Sequence, residues 1–167
     1  SFIVLSMTTQ IEQIQQACDI IRANPEERHT LGALAGRVGL SRFHFQRAFT
    51  RVVGVSPRAY AEACRLRQVK TALKRGDGVT PALYEAGYGS SSRLYERAGA
   101  VLGMTPATYS KGAPGVEIDF TIVASPLGRL LLAATARGVC RVMIGDSDAV
   151  LDRDLRQEYP RAAVRRN

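Results

Sequence analysis

The chain is poor in cysteine, in histidine and in long apolar runs, and each shortage removes a class of function. Its three cysteines, Cys18, Cys64 and Cys140, lie far apart and form no Cys-x-x-Cys pair. That argues against a zinc site and against a disulfide framework, and it fits a reducing cytoplasm; no metal and no cofactor are expected. Cys18 and Cys64 fall on apolar helical positions and Cys140 follows a glycine turn, so all three read as structural side chains. The two histidines, His29 and His44, have no carboxylate or second histidine at a useful spacing, which leaves no acid–base or nucleophilic arrangement. No apolar run approaches the roughly 18 residues of a spanning helix. Residues 1–6 lack the charged start and small-residue cleavage site of a signal peptide. Met7-Thr8-Thr9 reads as a more natural start, with residues 1–6 upstream of it, and residues 1–10 are expected to form a disordered tail.

Acid is scarce where base is dense. Between Arg28 and Arg75 there are 11 basic residues and one acid, Glu62. Residues 1–115 carry 15 Lys/Arg against 8 Asp/Glu, whereas 116–167 carry 8 against 7. A basic block of this kind on a helical scaffold is the footprint of a phosphate-binding face.

What the chain does have is one device written twice. Gly39-Leu40-Ser41 leads to Gly54-Val55-Ser56-Pro57 and Tyr60; Gly87-Tyr88-Gly89-Ser90 leads to Gly103-Met104-Thr105-Pro106 and Tyr109. In each copy a glycine closes one helix, a serine opens the next, and Gly-x-(Ser/Thr)-Pro opens a third. The copies are offset by 48 residues at the first glycine and 49 at the second. Two tandem helix-turn-helix units in a basic chain point to sequence-specific binding of double-stranded DNA.

Seven helices are expected up to Ser110. Thr9-x-x-Glu12 forms a capping box before Ile11, Ile14, Cys18 and Ile21. Thr30 caps a helix closed by Gly39, and Ser41 caps the next, with Phe45, Phe49, Val52 and Val53 inward. Ser56-Pro57 opens a long helix to about Arg75, and Thr80-Pro81 opens a fifth, closed by Gly87. Ser90 or Ser91 starts the sixth, with Leu94, Ala98, Val101 and Leu102 inward, and Thr105-Pro106 the last. Residues 111–115 read as a linker. Beyond it Ile118–Ala124, Arg129–Thr135 and Val139–Ile144 read as strands and Ser147–Tyr159 as a helix. The fold class is therefore mainly α: a bilobed seven-helix double helix-turn-helix domain over residues 11–110, then an incomplete α+β segment over 116–167. That segment, a three-stranded antiparallel sheet plus one helix, is expected to be cut short and poorly packed. Ile122, Leu130, Leu132, Val142 and Ile144 form its apolar strand faces.

On the third helix Phe43, Gln46, Arg47 and Thr50 share the outward face. Arginine pairs with guanine O6/N7, glutamine with adenine N6/N7, and an aromatic ring meets the thymine methyl. Arg42, His44 and Arg51 flank that face as phosphate contacts, and the Ser41 and Ser90 helix starts offer backbone N–H groups. The sixth helix is a weaker reader. Ser91, Ser92 and Tyr95 face bases, Arg93 and Arg97 face the backbone, and Glu96 repels phosphate.

Leu31-x-x-Leu34-Ala35-x-x-Val38-Gly39-Leu40-Ser41 and Ala86-Gly87-Tyr88-x-Ser90-Ser91-Ser92 followed by Leu102-Gly103-Met104-Thr105-Pro106 resemble the AraC/XylS-type DNA-binding domain. The resemblance covers residues 11–111, and the second pattern is similar to the version in Ada-like regulator and repair proteins. Ile118-Asp119-Phe120, Ser125-Pro126-Leu127-Gly128, Ala133-Ala134-Thr135 and Gly138-Val139-Cys140 are similar to the opening of an O6-alkylguanine-DNA methyltransferase domain, which has a ribonuclease-H-like start. The resemblance implies that Phe43, Gln46 and Arg47 touch bases and that both reading helices enter successive major grooves. It implies a transcription regulator of the DNA-alkylation response in the bacterial cytoplasm, nucleoid-associated, monomeric on DNA, with RNA polymerase as a further partner. Two departures stand out: nothing here matches the zinc domain of Ada-like proteins, and no Pro-Cys-His-Arg acceptor motif is present. The rival expectation is the N-terminal fragment of a suicidal methylated-DNA–protein-cysteine methyltransferase, inactive over these residues; a non-specific DNA compaction protein fits the charge but not the ordered repeat.

Overall fold

The computed structural model describes residues 2–88 and 92–167, with the side chains of residues 2–8, 92–94 and 97 outside the description. Eight helices and four strands follow in chain order: α1 (Phe2–Ala23), α2 (Leu31–Arg37), α3 (Arg42–Val53), α4 (Pro57–Lys74), α5 (Val79–Glu85), α6 (Ser92–Leu102), α7 (Pro106–Ser110), β1 (Glu117–Ser125), β2 (Gly128–Thr135), β3 (Gly138–Gly145), α8 (Asp148–Glu158) and β4 (Ala163–Arg166). They divide into two compact units. The first holds the chain up to Thr71 with Leu83–Tyr88; the second holds Ala72–Ala82 and Gly89–Asn167.

In the first unit, α1 and α2 both pack on α3. Local chemistry sets the helix ends. Thr30 Oγ1 accepts the Ala33 amide at 3.2 Å and Ser41 Oγ accepts the His44 amide at 3.3 Å, each satisfying one orphan donor of a first turn. Gly39 (φ 72°) lets the Leu40 amide reach back to Ala35 O at 2.9 Å, the six-to-one closure of a Schellman turn. Gly87 (φ 76°) does the same for Tyr88, whose amide reaches Leu83 O at 3.0 Å. The repeat seen in the sequence is thus a repeat of backbone hydrogen bonds. Its core gathers Ile14, Ala17, Cys18 and Ile21 from α1, Leu34, Ala35 and Val38 from the second helix, and Phe45, Ala48 and Phe49 from the third. The Phe45 and Phe49 rings lie 5.6 Å apart, and Tyr60 meets Phe49 edge-on at 5.7 Å.

The second unit carries a sheet of order β3-β2-β1-β4, antiparallel except for the parallel β1–β4 pair. Ser147 Oγ caps α8 by accepting the Val150 amide at 3.4 Å. One sheet face carries the buried Ile118, Phe120, Ile122, Leu131 and Ala133, and α8, which packs on β2 and β3, buries Leu151 and Leu155. Arg129 grips Asp148 through two bonds of 2.6 and 3.2 Å and Arg166 adds one of 2.6 Å. Arg129 first and Arg166 second hold that carboxyl at about 2.

Four features differ from the expectations. The first helix begins at Phe2, so residues 2–10 are helical rather than a disordered tail and the Thr9/Glu12 pair lies inside the helix; no Gly or Pro between Phe2 and Gln10 would stop it. A fourth strand, Ala163–Arg166, pairs with β1. Residues 111–115 are folded into a turn: Ala113 (φ 62°) is fully buried and its amide bonds to Thr108 O at 3.0 Å. Lastly, Val52 and Val101, expected to face inward, are exposed on their helices. On the sheet Leu132, Val142 and Ile144 share the uncovered apolar face, while Ile122, opposite Leu131, is buried on the other, since strand side chains alternate with period two.

Candidate nucleic-acid interface

α3 turns one side entirely inward and the other entirely outward. Phe45, Ala48 and Phe49 are buried, whereas Ser41, Arg42, Phe43, His44, Gln46, Arg47, Thr50 and Arg51 are exposed. Among the exposed residues Phe43, Gln46, Arg47, Thr50 and Arg51 line one shallow concavity. This is the face that helical period assigns to base reading, together with one flanking arginine. Phe43 is 77% exposed. An aromatic ring this open has no packing role in the unit, because Phe45 and Phe49 already fill the inward stripe. Arg42 is exposed with its stem near Gly32, 3.6 Å from where a Cβ would stand there.

His44 is differently placed from its neighbours. Gln10 Nε2 donates to His44 Nε2 at 2.9 Å, tying the ring to α1. A phosphate would compete with that amide for the imidazole. Sequence spacing did not announce this pair, since 34 residues separate the partners.

The second reading helix is α6. Tyr95 is 44% exposed and Glu96 is exposed beside it. Ser90 and Ser91 lie outside the described residues. Ser92, Arg93 and Arg97 lie on the helix backbone, their side chains outside the description. The turn after α6 repeats the one after α3: Gly103 has φ 68° and Gly54 φ 85°. Thr105 Oγ1 accepts the Thr108 amide at 3.1 Å where Ser56 Oγ accepts that of Ala59 at 3.2 Å.

A helix-turn-helix domain model matches residues 34–112. Residues 34–112 are an AraC-type helix-turn-helix domain. The solved structure of a probable AraC family transcriptional regulator from Rhodopseudomonas palustris is similar at a TM-score of 0.54 and 26% identity, covering 61% of this chain and 97% of that one. Among curated relatives, the bifunctional transcriptional activator/DNA repair enzyme Ada of Escherichia coli is 35% identical over 153 residues, 92% of this chain and 43% of the relative. The regulatory protein ada of Salmonella typhimurium aligns to the same extent and identity. The chain therefore spans less than half the length of these relatives.

Among the described residues no helix is long and apolar enough to cross a membrane, and no cluster of three His, Cys, Asp or Glu could hold a metal ion. Burial pushes the Cys18 and Cys64 thiols above their ordinary value. Cys140 is buried, and its thiol donates to Ala133 O at 3.5 Å.

Proposed function

We propose that the chain is a sequence-specific DNA-binding transcription regulator of the AraC/Ada type, acting in the response to DNA alkylation damage. The observation that carries this reading is the α3 face, where an unpacked aromatic, an amide and two arginines share one exposed concavity beside a capped helix start. In the proposed complex Arg47 pairs with guanine, Gln46 with adenine, and Phe43 covers a thymine methyl. Ser41, Arg42, His44 and Arg51 meet phosphates. On α6, Ser91, Ser92 and Tyr95 face bases while Ser90, Arg93 and Arg97 hold the backbone. Two reading helices on one chain make a monomer sufficient for two successive major grooves, since no dimer symmetry is needed to supply the second. Residues 11–110 act as this DNA-binding domain and 116–167 as the start of a methyltransferase domain, in keeping with similarity to a bifunctional activator and repair enzyme across 92% of the chain. Contact with RNA polymerase and a place on the cytoplasmic nucleoid belong to the same reading.

The same similarity favours a second reading, a DNA-repair fragment. Within these residues that reading lacks an activated thiol: Cys18 and Cys140 are buried and Cys64 half-buried, and alkyl transfer needs an accessible thiolate beside a base or a positive charge.

The test is a pair of substitutions. Arg47→Ala should cost roughly 1–3 kcal/mol on a selected site and blur one base step. Arg51→Ala should weaken selected and scrambled duplexes alike and flatten the salt dependence. Fluorescence titration of both variants on both duplexes measures this. Equal losses on the two DNAs for Arg47→Ala would remove it as a base reader.

A further inference from the structure

We infer that the α/β segment is the platform on which the second reading helix is positioned, and that Glu158 fastens the two together. The inference rests on the reading of α6 as a DNA-contacting helix. All its parts lie within the second compact unit.

The contact has three layers. At the top α6 packs directly on β3, and the turn that ends α6 is pressed against the sheet. A Cβ on Gly103 would stand 2.7 Å from Cys140 Cβ and 3.1 Å from Thr135 Oγ1. Thr135 Oγ1 itself donates to Gly103 O at 2.5 Å. The sheet therefore hydrogen-bonds to the turn that both ends α6 and aims α7, at a spacing that admits no side chain.

At the bottom sits a carboxylate shared by two helices. Tyr109, on α7, donates to Glu158 Oε1, and Lys74, at the end of α4, donates to Oε2. The Glu158 side chain is 11% exposed. Burial raises its pKa, but the bonds from Lys74 and Tyr109 outweigh that and hold it below the usual carboxylate range. Beside it the Tyr109 and Tyr159 rings meet edge-on at 5.9 Å, and Tyr159 donates to Cys140 O at 3.0 Å. A single acid of α8 thus holds the helix before the second helix-turn-helix and the helix after it.

The third layer is the connection. The Arg161 amide donates to Gly112 O at 2.8 Å, and a Cβ on Gly112 would stand 2.9 Å from Pro160. With Ala113 fully buried, residues 111–115 leave no slack for α7 and β1 to separate. Glu158 lies on α8, held by Lys74 and Tyr109, so the role inferred for it is positioning: it acts on α6 through α7 and the sheet.

Glu158→Ala and Tyr109→Phe in the whole chain test this, the second removing only one hydroxyl. Amide hydrogen exchange without DNA is the first readout. Losing a charge-assisted bond should speed exchange in α6 and α7 by about tenfold in Glu158→Ala, less in Tyr109→Phe, and leave α2 and α3 unchanged. Hydroxyl-radical footprinting is the second: Glu158→Ala should lose protection over the α6 half of the site and keep it over the α3 half. Unchanged exchange in α6 would overturn the fastening. Faster exchange with an intact footprint would overturn the positioning role while leaving the α3 reading in place. A wild-type chain with no footprint would defeat the DNA reading, and the exchange comparison would still decide whether Glu158 fastens the helix.

Discussion

Replacing Phe49 by alanine is expected to remove about 3–5 kcal/mol from the first unit, the range for truncating a fully buried aromatic side chain. Phe49 is fully buried where α1, α2 and α3 converge, with Phe45 at 5.6 Å and Tyr60 at 5.7 Å. Both rings lose an aromatic partner along with the buried area, so neighbouring side chains have little freedom to collapse into the hole. The same substitution should abolish preference over the α3 half of the site, because α3 presents Gln46 and Arg47 only while Phe45 and Phe49 anchor its other side. Urea unfolding followed by the exchange of amides in α1–α3 measures it. A loss under 1 kcal/mol would mean that the core described for this unit is wrong.

Gly87→Ala is expected to be the second large effect, at about 3 kcal/mol or more. The position has φ 76°, and a Cβ there would lie 2.1 Å from Glu26 O and 2.9 Å from two further backbone atoms of Glu26. No rotamer relieves a collision with backbone, so the Asn24–His29 segment has to move. That segment is pinned: Arg65 donates to Pro25 O at 2.9 Å and to Glu27 O at 2.7 Å. The formally identical glycine of the first copy gives the control. Gly39 has φ 72° but only the Gln13 amide nitrogen at 4.0 Å, so Gly39→Ala should cost about 1 kcal/mol, the left-handed strain alone. Thermal unfolding of the two variants separates them, and equal losses would contradict the close approach at Gly87.

These two glycines also mark where sequence stops being legible. Both are readable as helix-closing residues, because a C′ glycine is a local requirement. The difference between them is not, because Glu26 reaches Gly87 from 61 residues away. The caps at Thr30, Ser41, Ser56 and Thr105 were legible for the same local reason, and the outward face of α3 was legible because helical period alone defines it. The strand faces were not. Alternating apolar runs on β2 and β3 fit either side, and only the packing of α8 selects Leu131 and Ala133 over Leu132 and Val142. Residues 111–115 have a linker's composition, yet their two positive-φ glycines, Gly112 and Gly115, shape a turn that buries Ala113. Glu158 carried no signal at all, since its partners lie 49 and 84 residues away.

In the proposed function this chain reads DNA sequence through two helices, with α3 the stronger reader. Selection of the whole chain against a randomised duplex pool at roughly physiological ionic strength, followed by sequencing of the retained DNA, tests it most directly. Two short base blocks about 10 bp apart, one turn of DNA, are expected, the better-defined block losing definition in Arg47→Ala. Retention of the pool without enrichment, with binding that depends on salt alone, would contradict it.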